Sequence, residues 1–354
     1  MKKYLLLFLF STQVFTAQTV RKYSNEFLNI GVDAAAFGMS KAVVATSNDV
    51  NSAYWNPAGL VNVKDFQGAI MHAEYFEGIA KYDYAAFAMQ IDEKSAVGIS
   101  IIRFGVDDIL NTTELIDNEG NIDYNRISLF SAADYGLNLS YARNLNIEGL
   151  NVGLNTKIIR RIIGDFATSW GFGFDAGVQY EKNNWKYGLM LRDITTTYNS
   201  WSIDEKEFEK IQNAIPDQNQ ELPESTEITL PKAQVGIARK FNISKDFNLL
   251  SELDFNLRFT KTNDIISSDA LSLDPALGFQ LDYIDLVYLR AGIGNIQKEL
   301  QFDMTTETSI QPNFGVGFKY KGIQIDYALT NIGNVGAALY SNLFSIKVDF
   351  ENFR

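Results

Sequence analysis

Residues 169–180 read SWGFGFDAGVQY. Trp170, Phe172, Phe174, Ala176, Val178 and Tyr180 alternate with Gly171, Gly173, Asp175, Gly177 and Gln179. Successive side chains of a strand point to opposite faces, so one face is aromatic and aliphatic while the other carries glycine and polar groups. Such a strand suits lipid on one side and a wet interior on the other.

The alternation recurs. Leu150, Val152 and Leu154 oppose Asn151, Gly153, Asn155 and Lys157, and Trp185, Tyr187, Leu189 and Leu191 oppose Lys186, Gly188 and Arg192. Phe247, Leu249, Leu253, Phe255, Leu257 and Phe259 oppose Glu252, Asp254, Asn256 and Arg258. Near the end, Phe344, Ile346, Val348 and Phe350 oppose Ser345, Lys347 and Asp349. A soluble sandwich also alternates, but its aromatic face needs a second sheet to cover it.

Fourteen segments of this type lie at 68–76, 81–91, 95–105, 132–144, 149–164, 168–181, 184–194, 231–241, 246–260, 273–283, 286–296, 311–320, 322–330 and 343–352. Most have the roughly nine to eleven residues that a tilted strand needs to cross a bilayer. Their connections sort by parity. Those at 92–94, 145–148, 182–183, 242–245, 284–285 and 321 are short, whereas 106–131, 195–230, 261–272, 297–310 and 331–342 are long. Outer-membrane barrels have tight periplasmic turns and long outer loops. The sequence therefore predicts an all-β fold, a transmembrane antiparallel β-barrel of about 14 strands with a small N-terminal plug and both termini on the periplasmic side.

Residues 1–17 contain Lys2 and Lys3, an apolar run from Leu5 to Phe10, and Ala17 before a cleavage point, with Phe15 a poor small-residue match. This resembles a secretory signal peptide. The expected division is signal peptide 1–17, plug 18–67 and barrel 68–354, in the cell outer membrane. The absence of cysteine excludes disulfides and thiolate metal sites. A net charge of −12 argues against nucleic-acid binding. Much of the acid falls in two outer loops, including Asp107, Glu114 and Asp123 in one and Glu205, Glu209 and Glu227 in the other. In the second, Trp201, Ile203, Phe208 and Ile211 lie near helical spacing, and an amphipathic helix there is a candidate partner-binding loop. Pro216, Pro223 and Pro231 stiffen its return.

Phe27 to Val63 is too long for a strand and rich in Gly, Ala and Ser. Small residues permit close backbone approach, which suits a plug inside the barrel or across its periplasmic mouth. Asn56, Pro57, Ala58 and Gly59 read as a turn, with Pro57 fixing φ and Gly59 free to take positive φ.

The stretch FLNIGVDAAAFGMSKAVVATSNDVNSAYWNPAGL, Phe27 to Leu60, resembles the amino-terminal signature of the PorV/PorQ family of Bacteroidetes, related to FadL-type fatty-acid transporters. Matching positions are Gly31, Ala36, Gly38, Met39, Ala42, Asp49 and the run Trp55, Asn56, Pro57, Ala58, Gly59, Leu60. The chain departs from the family pattern at Val32, Asp33 and Ala34, and at Lys41, where a second glycine is common. The resemblance implies an outer-membrane component of the type IX secretion system. It would be a PorV-like carrier whose partners are cargo C-terminal signal domains, translocon components and outer-membrane lipid, and it would need no cofactor. The plug motif would be structural, and the departures fit a divergent paralogue.

His72 is the only histidine, so a catalytic triad or a multi-histidine metal site would rest on it alone. A structural hydrogen bond is expected of it, and the chain is read as no enzyme. Gly171, Gly173 and Gly177, and likewise Gly315 and Gly317, lack the following helix of a phosphate loop and read as thinned lumen positions near the plug. The inward charges carry both signs, which predicts a salt-bridged lumen. FadL-like transport of hydrophobic small molecules is the alternative function, and it would need an apolar internal pocket.

Overall fold

The computed structural model of the protein describes residues 24–116, 119–214, 225–301, 304–330 and 341–353. The expected signal peptide at 1–17, and Pro216 and Pro223, lie outside them. Each alternating segment becomes a strand. In chain order the first are β1 (Phe66–Tyr75), β2 (Ala80–Asp92), β3 (Ser95–Asn111), β4 (Ser128–Asn144), β5 (Leu150–Ile163), β6 (Ala167–Lys182) and β7 (Trp185–Arg192). Two short strands, β8 (Thr197–Ile203) and β9 (Thr226–Thr229), precede β10 (Lys232–Asn242) and β11 (Phe247–Arg258). After the two-residue β12 (Ile266–Ser267) come β13 (Ser272–Tyr283), β14 (Val287–Leu300), β15 (Thr306–Tyr320), β16 (Ile323–Thr330) and β17 (Ser341–Asp349).

Apart from β8, β9 and β12, these strands form a fourteen-stranded antiparallel wall that closes where β17 returns to β1, with Gln67 opposite Asp349. Closure removes the unpaired edges that lipid would not tolerate. No helix among the described residues is long and apolar enough to cross a membrane, so any crossing is made by strands. Leu154, Phe172, Leu289, Phe318 and Ile346 point outward and are exposed, while Asp175, Glu252 and Arg290 point inward and are buried.

Tight turns follow from the strand twist. Asn183 and Asn184 both take positive φ (52° and 65°), as do Ile284 and Asp285 (47° and 54°) and the pair Lys321 and Gly322 (46° and 82°). These are the dihedrals of two-residue turns whose twist matches that of the flanking strands. The opposite rim differs from the sequence expectation. β3 and β4 extend to Asn111 and from Ser128, and β14 and β15 take up most of 297–310, so part of the expected loop length is hairpin. These strand ends stand beyond the apolar band, where nothing demands an apolar outer face, so they carry no alternation signal. The expected loop at 195–230 contains β8, α-helical residues 205–214 and β9.

The wall is irregular at one place. β6 pairs with β7 from Ala176 to Lys182 and with β8 from Ala167 to Phe172. Between β7 and β8 the chain turns at Asp193 (φ 56°) and Thr196 (φ 60°), and Ile194 N–H donates to the Phe174 carbonyl at 3.0 Å.

Inside the wall lies the plug. It contains a 3-10 turn at Glu26–Asn29, helix α1 (Ala34–Gly38), helix α2 (Ser52–Trp55) and a second 3-10 turn at Pro57–Asn62. The helix of the outer loop is α3 (Glu205–Ala214). Ser24 and Asn25 are hydrogen-bonded to Thr229 and Asn199 on β9 and β8, which puts the start of the plug at the long-loop rim and not on the expected periplasmic side. From there the segment crosses the lumen to Asp65 on the other rim and enters β1.

Candidate functional site

The lumen is the concave surface this fold offers, and the plug fills most of it. Gly31, Gly38, Met39, Trp55, Asn56, Pro57, Ala58, Gly59 and Leu60 are buried, and Asp49 is half-buried. Asn56 caps the second 3-10 turn by accepting from Ala58 N–H at 3.2 Å, with Pro57 at its first position, where the missing N–H costs nothing. The Asn56 amide donates to the Val44 carbonyl at 2.9 Å and to the Val178 carbonyl of β6 at 3.1 Å. Trp55 Nε1 donates to the Val32 carbonyl at 3.1 Å, and Tyr54 hydroxyl to the Leu28 carbonyl at 2.6 Å. Gly31 needs glycine for its φ of 109°. Gly59 does not take positive φ, against the sequence expectation; it is glycine because a side chain would run into the Ser47 carbonyl.

Wall glycines let plug backbone touch the sheet. Gly177 faces Asn56 and Pro57, Gly188 faces Val44, and a Cβ on Gly278 would lie 2.6 Å from the Met39 carbonyl oxygen. Gly315 meets Gly38 in the same way. Gly171 and Gly173 instead make room for Asn199 and Thr197, and Gly317 for Asp326. The expectation of thinned positions next to the plug therefore fits Gly177 and Gly315 and is corrected for the other three.

The inward charges act in pairs and on the plug. Arg290 contacts Asp326 at 2.7 Å, Arg258 contacts Asp264 at 2.6 Å, and Lys347 pairs with Asp49 of the plug. Lys157 reaches Asp175 at 2.9 Å and also Asp193, beneath the break between β7 and β8. Glu252 and Asp254 serve differently. Asp254 Oδ2 accepts from the N–H groups of Val43 and Val44 at 3.0 and 3.1 Å. Glu252 accepts from Ala45 N–H at 2.6 Å and from the Thr46 hydroxyl. Four successive plug residues thus hang on two carboxylates, an arrangement that spacing alone did not reveal.

Two plug groups have altered proton affinity. Burial, reinforced by the Asp326 carboxylate, pushes the Asp33 carboxyl up to about 6. Burial holds the Lys41 ammonium down at about 8, against the pull of Asp274. Lys41 also takes a φ of 66°, which explains why glycine suits that position better.

A cavity remains on each side of the plug. The one toward the long-loop rim measures about 310 Å³ and is lined by Lys41, Arg192, Lys232 and Arg258 among others. The other, about 390 Å³, opens among Asp285, Gly322 and Asp349 at the short-turn rim. Both linings mix charges and amides, whereas the apolar side chains Phe27, Val32, Phe37 and Leu60 are spent on packing the plug. No cluster of three or more potential metal ligands occurs among the described residues. His72 points outward and bonds Asp83 at 2.7 Å.

The candidate loop residues separate. Trp201 and Ile203 lie on β8, part of the wall's rim, not on the expected helix; a guanidinium, that of Arg161, stands 5.1 Å over the Trp201 ring. Phe208 and Ile211 fall on α3, and the Ile211 side chain lies outside the described residues. β8 escaped the sequence reading because its polar outer positions, Ser200 and Ser202, interrupt the apolar alternation.

A family model described as type IX secretion system protein PorV matches residues 14–202, more than half of the chain. The chain belongs to the PorV family. With its closed fourteen-stranded wall, this PorV-family protein is an outer-membrane barrel with lipid around it. No curated protein matches its sequence. Among solved structures it is similar to the Pseudomonas putida toluene transporter TodX, at 12% identity over 93% of this chain and 98% of that one, with a TM-score of 0.53. The Ralstonia pickettii toluene transporter TbuX matches at 11% identity over 90% and 98%, with a TM-score of 0.51. A Pseudomonas aeruginosa FadL homologue matches at 12% over the same shares, also with a TM-score of 0.51. At such identities the likeness concerns the fold alone, and the chain is a FadL/PorV-type barrel.

Proposed function

We propose that this PorV-family barrel acts in protein secretion as a closed carrier, binding the C-terminal signal domains of secreted cargo at its outer rim and meeting components of the type IX translocon. The observation that carries this reading is the occupied lumen. A plug held by Asn56, Glu252, Asp254 and Lys347 leaves only small cavities of mixed polar and apolar lining on either side, so the surface available to a large ligand is the rim. Family membership supports the same reading. The test is affinity purification in mild detergent of the intact chain and of a variant lacking residues 205–224, which spares β8 and β9. Cargo signal domains should copurify with the first and be depleted with the second. Recovery of neither cargo nor translocon from the intact chain ends the proposal.

Transport of hydrophobic small molecules is the second reading, and the fold likeness to toluene transporters favours it. The cavity of about 310 Å³ is then the ligand site. Native mass spectrometry should find an acyl or aromatic ligand that Ala276→Trp, in that cavity's lining, removes. An empty barrel counts against it.

A further inference from the structure

The outward face of the wall is not uniform along the short-turn rim. On β11, β13, β14 and β16 the outward residues nearest the short turns, Phe247, Tyr283, Val287 and Ile323, are apolar and exposed. Across β6, β7 and β10 the same level is basic and aromatic. Trp185, the first residue of β7 after the turn at Asn183 and Asn184, lies opposite Lys182 of β6 on one side and opposite Arg239 of β10 on the other. Both cations point outward and are exposed. The Arg239 guanidinium stands over two rings, 4.9 Å from that of Trp185 and 5.0 Å from that of Phe241, the next outward residue of its own strand. A guanidinium stacked on rings keeps its N–H groups in its own plane, available to an anion.

No acid offsets these charges. The outward positions of β6, β7 and β10 contain no carboxylate, and Glu181, the neighbour of Lys182 in sequence, points inward and pairs with Lys186 at 3.2 Å. Paired strands lie about 4.8 Å apart, so Lys182 and Arg239 flank Trp185 with their backbones about 10 Å apart, a span that two long side chains close onto one phosphate. Toward the middle of the bilayer the same three strands present Tyr180, Tyr187 and Ile237, and then Val178, Leu189 and Val235. The Tyr180 and Tyr187 rings stack at 6.3 Å. A tilted strand climbs about 2.5 Å per residue, which sets these rows about 5 and 10 Å inside the cations, at the depth of acyl chains.

The geometry points to a binding site for an anionic phospholipid of the periplasmic leaflet on β6, β7 and β10. Lys182 and Arg239 take the phosphate, Trp185 lies beneath the headgroup, and the tyrosine and aliphatic rows take the acyl chains. Charge decides the class of lipid. Two cations without a counter-charge favour a net negative headgroup over a zwitterionic one, whose own ammonium they repel, and each basic residue at a bilayer surface strengthens the binding of anionic lipid about fivefold. A soluble phosphate would leave the apolar rows unused. The inference depends on the wall and not on the cargo-carrier reading; lipid selectivity without cargo recovery, or the reverse, separates the two.

The test is native mass spectrometry of the intact barrel in mild detergent, offered equal amounts of dioleoylphosphatidylglycerol and dioleoylphosphatidylcholine. The barrel should retain the phosphatidylglycerol in preference. Arg239→Gln should weaken that preference about fivefold, and Arg239→Gln combined with Lys182→Gln about twenty-fivefold. Lys321→Gln, which removes a cation set over the single ring of Tyr320 in another short turn, should leave it unchanged. Heat-modifiable mobility shows that each variant has folded, and the two single variants carry the comparison if the double variant does not fold. In intact cells, benzoylphenylalanine in place of Tyr187 should crosslink to lipid. Equal retention of the two lipids, a preference indifferent to Lys182 and Arg239, displacement of the lipid by inorganic phosphate, or a protein adduct at position 187 would each overturn the proposal.

Discussion

The amide of Asn56 donates to the backbone carbonyl of Val178 at 3.1 Å, joining the plug's turn to β6 across a separation of 122 residues. The same side chain accepts from Ala58 N–H and donates to the Val44 carbonyl. One buried amide therefore fixes the turn, the preceding plug segment and the wall. Asn56→Ala leaves these partners unsatisfied in a buried site, with an expected loss of about 1–3 kcal/mol. Asn56→Asp keeps the cap acceptor but sets a buried carboxylate against the Val44 and Val178 carbonyls, and should cost more than Asn56→Ala. Urea unfolding of the barrel in detergent checks the order wild type, Asn56→Ala, Asn56→Asp.

Seating of the plug depends on the missing side chain of Gly188, because an added Cβ would run into the Val44 carbonyl and the Ala45 N–H. Both groups are backbone and have no rotamer to yield. Gly188→Val should leave the strand pairing of β7 with β10 in place and displace the plug, since the overpacking cost of about 1–3 kcal/mol falls on the plug contact alone. In planar bilayers the variant should conduct ions more readily than the wild type. Equal conductance of the two would show that the plug accommodates the valine.

Plug stability should vary with pH in two opposed ways. Asp33 has a carboxyl pushed up to about 6 from 3.8 by burial, so folding takes up a proton between those values. Its contribution is best below about 4 and declines as pH rises through 6. A shift of about two units corresponds to roughly 3 kcal/mol at most. Lys41 is held down at about 8 from 10.5, again chiefly by burial, so folding releases a proton between those values. That contribution improves as pH rises from 8 toward 10.5. Unfolding midpoints from pH 4 to 7 should flatten in Asp33→Asn, and those from pH 8 to 10 should flatten in Lys41→Met.

How much of this was legible in sequence depended on which solvent each residue meets. Where hydrocarbon wets one face, as at Trp170, Phe172 and Phe174, only alternation satisfies both sides, and the strands were readable to within a few residues. Above the band that constraint vanishes. The upper ends of β14 and β15, 297–300 and 306–310, are mostly polar without a regular apolar alternation and read as loop. Within the plug, composition announced close packing, but the partners of Gly38, Met39 and Pro57 lie hundreds of residues away or on other strands and leave no local signal. Glu252 and Asp254 read as half of a salt-bridge network because charge is visible in a sequence, whereas the backbone N–H groups of Val43, Val44 and Ala45 that they bind are not.

The break between β7 and β8 supplies the last expectation. There the wall gives up several ladder hydrogen bonds, and Lys157 bridges Asp175 and Asp193 from the lumen side, with the Thr197 hydroxyl donating to Asp193 at 2.6 Å. Asp193 N–H in turn donates to Asp175 at 2.8 Å. Removing the cation leaves two buried carboxylates side by side. Lys157→Met should therefore cost about 3–5 kcal/mol, the range for breaking a buried ion pair by deleting one partner. Lys157→Met combined with Asp193→Asn removes one of the stranded charges and should recover a large part of the loss. Unfolding of the single and double variants in detergent provides the measurement. If the two are equally unstable, the lysine acts through its volume and not through its charge.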